Sequence, residues 1–254
     1  MSIDTHVAKD KSRKAMEPLR ADRSLIEKVY DRLVDAISEG QLPPGTRLTQ
    51  QGLAATLEVS RQPVSHALHR LKVAGLAVEA GKRGLVVATM DLNRVRDIFQ
   101  VRAVIDGLSA RLAAEAVASK TARRRDIQAL KLALDRGIAA EREIPRSDWL
   151  AYDASFHGTI YKLAGNVVIL EAIMPLWTHL RRSMVSVPAS PRRQVVWDEH
   201  REIARAILSG DAATAERVGH SHVLGARDAL VARMKEQLEA TGRNSNNKVV
   251  NLGW

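Results

Sequence analysis

Residues 49–71 read TQQGLAATLEVSRQPVSHALHRL, and the spacing of their apolar side chains decides how the N-terminal third of the chain folds. Leu53, Leu57, Val64, Leu68 and Leu71 recur at helical intervals, and the phase breaks at Glu58-Val59-Ser60. That pattern predicts a helix, a tight turn and a second helix. Ser60 is expected to cap the second helix, its hydroxyl accepting from a backbone N–H one turn in. Pro63 falls in the first turn, where its missing N–H costs nothing. Arg61, Gln62, Ser65, His66 and His69 lie at or just behind the helix start, the end that a recognition helix inserts into the DNA major groove. Arg47, Gln51 and Ser60 join Arg61, Gln62, Ser65 and His66 as the candidate DNA-contacting set.

Outward from this stretch the signals agree with it. Upstream, Leu25, Val29, Leu33, Val34 and Ile37 make an amphipathic helix ended by Gly40 and the turn Leu42-Pro43-Pro44-Gly45. Downstream, Gly75-Leu76-Ala77-Val78-Glu79 and Leu85-Val86-Val87-Ala88 read as two short strands around the basic tip Ala80-Gly81-Lys82-Arg83-Gly84. These strands predict the wing of a winged helix, with Lys82 and Arg83 on the phosphate backbone.

Beyond Met90 the pattern turns almost wholly helical. Asp91 is expected to cap a helix through Val95, Ile98, Val101, Ile105, Leu108 and Leu112, and further helices are expected near 122–142, 147–164, 167–186, 191–209 and 212–239. Pro145, Gly165-Asn166, Pro188 with Pro191, and Gly210-Asp211 punctuate them. The expected class is mainly α, a winged helix-turn-helix followed by an all-helical bundle. The expected divisions are a flexible leader over 1–20, a first domain over 21–90, a second over 91–240 and a flexible tail over 241–254.

The composition, 45% hydrophobic but only 4% aromatic, suits packed helices. With no cysteine, disulfides and thiolate metal sites are excluded, so any metal must use His, Asp or Glu. No apolar run approaches the ~20 residues of a membrane span, and a soluble cytoplasmic protein is expected. The formal charge of +10 suits a polyanionic partner. Residues 40–90 hold six Lys/Arg against two Asp/Glu, a local excess centred on the opening stretch. Arg123-Arg124-Arg125 and Arg192-Arg193 read as solvated helix faces.

A second constellation sits where polar residues are out of place. Asp153 and His157, four apart, lie in line with Leu150, Ile160 and Ala164; His200 shares a stripe with Ile203, Ala204 and Ile207; His222 continues Ala215 and Val218. An inward carboxylate and three inward imidazoles need partners. Each alone could be a hydrogen-bonded core residue, and a shared divalent metal could satisfy all four.

Residues 24–90, through GQLPPGTRL, LAATLEVSRQPVSHALHRL, AGL and the glycine of KRGLVV, resemble the DNA-binding domain of the GntR family of bacterial transcription regulators. Arg61 matches the family's base-reading arginine. The family usually has Arg-Glu after the Pro-Val of the recognition helix, whereas this chain has Ser65-His66, so its operator is expected to differ. Residues 92–236 resemble the FadR-type effector (FCD) domain, through DASFHGTIYKLAGN, DEHREIARAILSGDAATA and HSHV. By that resemblance the metal ligands are Asp153, His157, His200 and His222. The donor set suits zinc first, with nickel, manganese or iron as alternatives. Arg102 matches an arginine that often faces the effector cavity, with an interhelical salt bridge as its other reading, and Asp106 stands where the family commonly has Glu. Asn166 is expected at a helix end, and His179 and Arg181 at the surface or rim.

The resemblance implies a homodimeric, ligand-responsive regulator, a repressor in the family's commonest mode. It would bind a palindromic double-stranded operator and answer to a small carboxylate, with neither enzymatic activity nor a membrane partner. Two alternatives stay open on the residues: a metal-dependent hydrolase or lyase acting on a small carboxylate, and a dedicated metal sensor.

Overall fold

The computed structural model describes residues 24–81, 84–89, 91–140, 146–185, 187 and 193–240. The expected leader and tail lie outside them, as do Lys82, Arg83, Pro145, Pro188, Pro191 and Arg192. The order is α1 (Leu25–Ser38), α2 (Gln50–Thr56), α3 (Arg61–Val73), β1 (Ala77–Glu79), β2 (Leu85–Val87), α4 (Leu92–Ala118), α5 (Arg124–Ala139), α6 (Arg146–Leu163), α7 (Val167–Val185), α8 (Arg193–Ser209) and α9 (Ala212–Ala240). Among the described residues no helix is long and apolar enough to cross a membrane.

The first unit is built as its pattern requires. Ser24 and Glu27 form a reciprocal capping box at the start of α1. Val29, Leu33 and Ile37 of α1 meet Val64, Leu68 and Leu71 of α3 in one buried cluster with Leu48, Leu76 and Val87. Between α2 and α3, Val59 N–H donates to Ala54 O and Glu58 N–H to Ala55 O, the paired bonds of a Schellman motif. Its left-handed position is held by Glu58, at φ 54°. Ser60 takes the extended N-cap conformation of α3, but its hydroxyl makes no capping bond. The predicted side-chain cap is therefore absent, and α3 begins on backbone geometry and Pro63. The wing is the antiparallel pair Ala77↔Val87, Val78↔Val86 and Glu79↔Leu85, extended by a bridge from Arg47 to Val86.

The second unit is a bundle around α4, whose N-cap Asp91 accepts from Arg94 N–H as expected. Helices α4 and α9 run at backbone contact where Gly107 meets Gly219. A Cβ on Gly219 would sit 3.2 Å from Ala110 Cβ, and one on Gly107 3.2 Å from Glu216 O. This crossing brings Asp106, on α4, into the same enclosed cluster as His222, on α9. Leu130, Phe156, Ile160, Trp197, Ile203 and Ile207 fill the adjoining core. Each such side chain contributes roughly 1.5–3 kcal/mol by leaving water.

The C-terminal half of α7 docks on the first unit. Arg182 Nη2 donates to Ala88 O at 2.6 Å, Arg181 Nη2 pairs with Glu39 Oε1 at 3.1 Å, and His179 Nε2 lies 3.0 Å from Ala74 O at the C-cap of α3. His179, expected at the surface or rim, is buried. Packing of α7 on α1, with His179 against the turn that follows α3, overrides its local polar context. Asn166 is the helix-end residue expected, its side chain accepting from Val168 N–H.

Candidate functional site

Helices α6, α8 and α9 turn one histidine each toward a common point. His157, His200 and His222 are all buried, and one nitrogen from each lies within 4.8 Å of the others. His200 Nε2 and His222 Nε2 are 3.2 Å apart. Two metal bonds of ~2.05 Å at the tetrahedral angle hold their donor atoms about 3.3 Å apart. The spacing therefore fits two lone pairs directed at one ion. Asp153 is buried on α6, one turn before His157, with Oδ1 3.5 Å from His200 Nε2. Among the described residues the convergent cluster is the three imidazoles, and Asp153 stands beside one of them.

The surroundings keep these donors ready for a cation. Burial pushes the His157 and His200 imidazoles well below their usual range, so both are neutral with a lone pair available. Burial also raises the Asp106 and Asp153 carboxyls, which a bound divalent ion would offset. His157 Nε2 and His200 Nδ1 are buried without a hydrogen-bond partner. Three imidazoles with carboxylate support suit a transition metal over calcium. The residues fit the group that the sequence predicts.

A second, ionic layer adjoins the histidines. Arg102, 1% exposed, directs Nε to Asp106 Oδ2 at 3.2 Å, and its guanidinium lies over Trp177 at 4.3 Å. Asp106 Oδ1 accepts from Tyr161 OH at 2.5 Å, and Oδ2 is 3.3 Å from His157 Nδ1. Arg102 thus forms its salt bridge one turn along α4 itself, not between helices as its other reading expected, and its Nη2 is additionally buried without a partner. Asp106, His157, Tyr161 and Gly219 help line a cavity of about 10 Å³. That is room for about one water, so an organic acid needs the walls to part.

His200 is held differently from the other two. Its ring stacks on Phe156 at 4.3 Å and meets Trp197 edge-on at 4.6 Å. Trp197 fits against α5 because residue 137 is glycine; a Cβ there would lie 1.8 Å from Trp197 Cη2. Asp106, Tyr161, Trp177, Trp197 and Glu199 escaped sequence reading as contributors to this centre. Gly137, a glycine in a helix interior, was the available signal for a close approach.

On the first unit, Arg47, Gln51, Ser60, Arg61, Gln62 and His66 are exposed and Ser65 is half-buried, with its Oγ accepting from Gln50 Nε2 at 3.2 Å. Arg61, Gln62, Ser65, His66 and His69 form the outward face of α3, opposite buried Val64, Ala67, Leu68 and Leu71. Arg70 is diverted onto the Tyr30 ring at 4.1 Å, and Lys72 pairs with Glu79 at 2.6 Å.

Residues 25–87 match the model of the gntR family of bacterial regulatory proteins, and residues 97–225 match that of the FCD domain. The chain is 26% identical to the probable D-xylose utilization operon transcriptional repressor of Paenarthrobacter nicotinovorans, over 79% of this chain and 86% of that protein. It is 26% identical to the Nta operon transcriptional regulator of Aminobacter aminovorans over 54% of this chain, spanning 63% of that protein. Among solved structures, E. coli McbR/YncC superposes with a TM-score of 0.71 at 20% identity, covering 84% of this chain and all of that one. At that identity the likeness concerns the fold alone.

Proposed function

Because this chain belongs to the GntR family of bacterial regulatory proteins and joins a DNA-binding unit to an FCD domain, we propose that it is a homodimeric repressor released by a small carboxylate. In this reading a divalent metal, zinc first, is held by His157, His200, His222 and Asp153 in the FCD domain. The metal supplies a Lewis-acidic position for a carboxylate oxygen; Arg102 supplies the second anchor through its unpartnered Nη2. No turnover is part of this reading, and it implies a cytoplasmic location.

The observation that carries the proposal is helix α7, which touches both ends of the pathway. Trp177 lies against Arg102 and 5.7 Å from the His157 ring, while His179, two residues on, reaches Ala74 O at the C-cap of α3. A ligand that parts Arg102 from its neighbours shifts the helix that seats the recognition helix. It changes DNA affinity by the difference in its own affinity for the two arrangements. Homodimerisation is supported by exposed apolar side chains on the outer faces of α4 and α7: Val101, Val104, Val167, Val168 and Met174. Such a dimer would read a palindrome, with Arg61 on a guanine, Gln62, Ser65 and His66 along the groove, and Arg47, Gln51, Ser60, Lys82 and Arg83 on the flanks and backbone.

The test is selection of sites from random DNA by the full-length protein, followed by affinity measurements with zinc and a panel of small carboxylates. A palindrome should emerge, Arg61→Ala should lose ~1–3 kcal/mol of discrimination, and at least one acid should weaken binding. Absence of any selected sequence defeats the DNA reading, and a flat response to every acid defeats the ligand-responsive part.

A further inference from the structure

Two carboxylates outside the expected ligand set lie against the imidazoles. An imidazole that binds a metal through one nitrogen is oriented by what its other N–H donates to. His222 Nδ1 lies 2.8 Å from Glu199 Oε2, and an ionised carboxylate only accepts, so Nδ1 carries the proton and Nε2 the lone pair. His157 Nδ1 faces Asp106 Oδ2 at 3.3 Å and leaves Nε2 buried without a partner. Both contacts thus present Nε2, and for His222 this atom is the one 3.2 Å from His200. His200, by contrast, has no hydrogen-bond partner on Nδ1 and is set by aromatic packing.

We propose that Glu199 and Asp106 are the positioning carboxylates of the metal centre, fixing His222 and His157 with Nε2 toward the ion. The inference rests on the metal reading above and extends it to residues that do not ligate. The two carboxylates are not equivalent. Asp106 is a buried hub whose two oxygens also hold Arg102 and Tyr161, so the arginine proposed to anchor an organic acid shares its carboxylate with a metal-facing histidine. Glu199 has 28% of its side chain exposed on α8, so it joins the enclosed histidines to solvent.

The experiment is zinc titration of the chelator-stripped full-length protein by competition with a chromophoric chelator, comparing wild type, Glu199→Gln, Asp106→Asn and His200→Ala. Glu199→Gln keeps the side chain's shape and removes its charge; it should fold as wild type and bind zinc ~10–100-fold more weakly. Asp106→Asn should weaken zinc by a similar factor. Because that change also strips Arg102 of its counter-charge, Glu199→Gln decides the matter should the Asp106 variant fail to fold. Wild-type zinc affinity in folded Glu199→Gln overturns the proposal. Unchanged zinc stoichiometry in His200→Ala instead overturns the siting of the metal itself, so the two failures are distinguishable.

Discussion

The histidine centre and the outward face of α3 carry the two halves of the function under opposite physical regimes. At the centre, the three histidines are buried and each is held by a partner or a ring: His222 by Glu199, His157 by Asp106, and His200 between Phe156 and Trp197. On α3, Arg61, Gln62 and His66 project into solvent from a helix whose other side is fully packed. The first region is preorganised by its neighbours, so a change well outside the cluster should reach it. The second is preorganised only by its backbone, so a change in its neighbours should shift stability and leave the side chains unaltered.

The largest expected effect tests the first half of that contrast. Gly137→Ala would place a methyl 1.8 Å from Trp197 Cη2 and 2.2 Å from Cζ2, with Trp197 fully buried and its ring against His200. Overpacking of this kind costs about 3 kcal/mol, against roughly 1 kcal/mol gained from alanine's helix propensity. A net loss of about 2 kcal/mol should lower Tm by several degrees and weaken metal binding through the displaced His200. A Tm at or above wild type would show that α5 yields freely and that His200 does not depend on it.

The same contrast explains what was legible in the sequence. Asp153, His157, His200 and His222 were detectable because a polar residue on an apolar stripe breaks a periodic pattern, and all four are buried. Glu199 was not, because it lies on the polar side of α8 and becomes a partner of His222 only through the packing of α8 on α9. Asp106 drew notice only as a family substitution; its role depends on the Gly107–Gly219 crossing, which periodicity does not encode. The α3 face was legible through its motif alone, since exposed polar residues fit any solvated helix. The wing and the helices appeared near their expected bounds because strand alternation and helical phase are local properties. The docking of His179 on Ala74 is a contact 105 residues apart, and nothing local announces it.

That docking supplies the intermediate prediction, at the joint between the two regimes. Burial depresses His179 to about 4 from an ordinary value of 6.5. The docked state therefore holds this ring neutral, and its contribution is fully present above pH 6.5 and lost as pH falls toward 4. At pH 5.5 the loss is about 1.4 kcal/mol. His179→Gln, whose amide can still donate to Ala74 O, should remove that part of the slope of stability against pH. Parallel wild-type and variant slopes between pH 7 and 5 would mean that the ring charges without undocking. Arg182, buried beside it with Nε and Nη1 unpartnered and its value lowered to about 10 by burial, adds a second cost to keeping this joint closed.

The smallest effect tests the second half of the contrast. Glu58 occupies the left-handed position of the turn before α3, at φ 54°, where a Cβ is strained and glycine is at ease. Relief of that strain is partly offset by the greater backbone freedom glycine brings to the unfolded chain, so Glu58→Gly should stabilise by about 0.5–1 kcal/mol. Because the Schellman bonds from Val59 and Glu58 are backbone bonds, the geometry of the turn survives the substitution. The reading face should keep its sequence preference while the urea midpoint rises. A rise in midpoint with altered preference would mean that Glu58 contributes to DNA reading through its side chain. An unchanged midpoint with unchanged preference would mean that the turn is unstrained. Only the combination of higher stability and constant preference fits a recognition helix organised by its backbone.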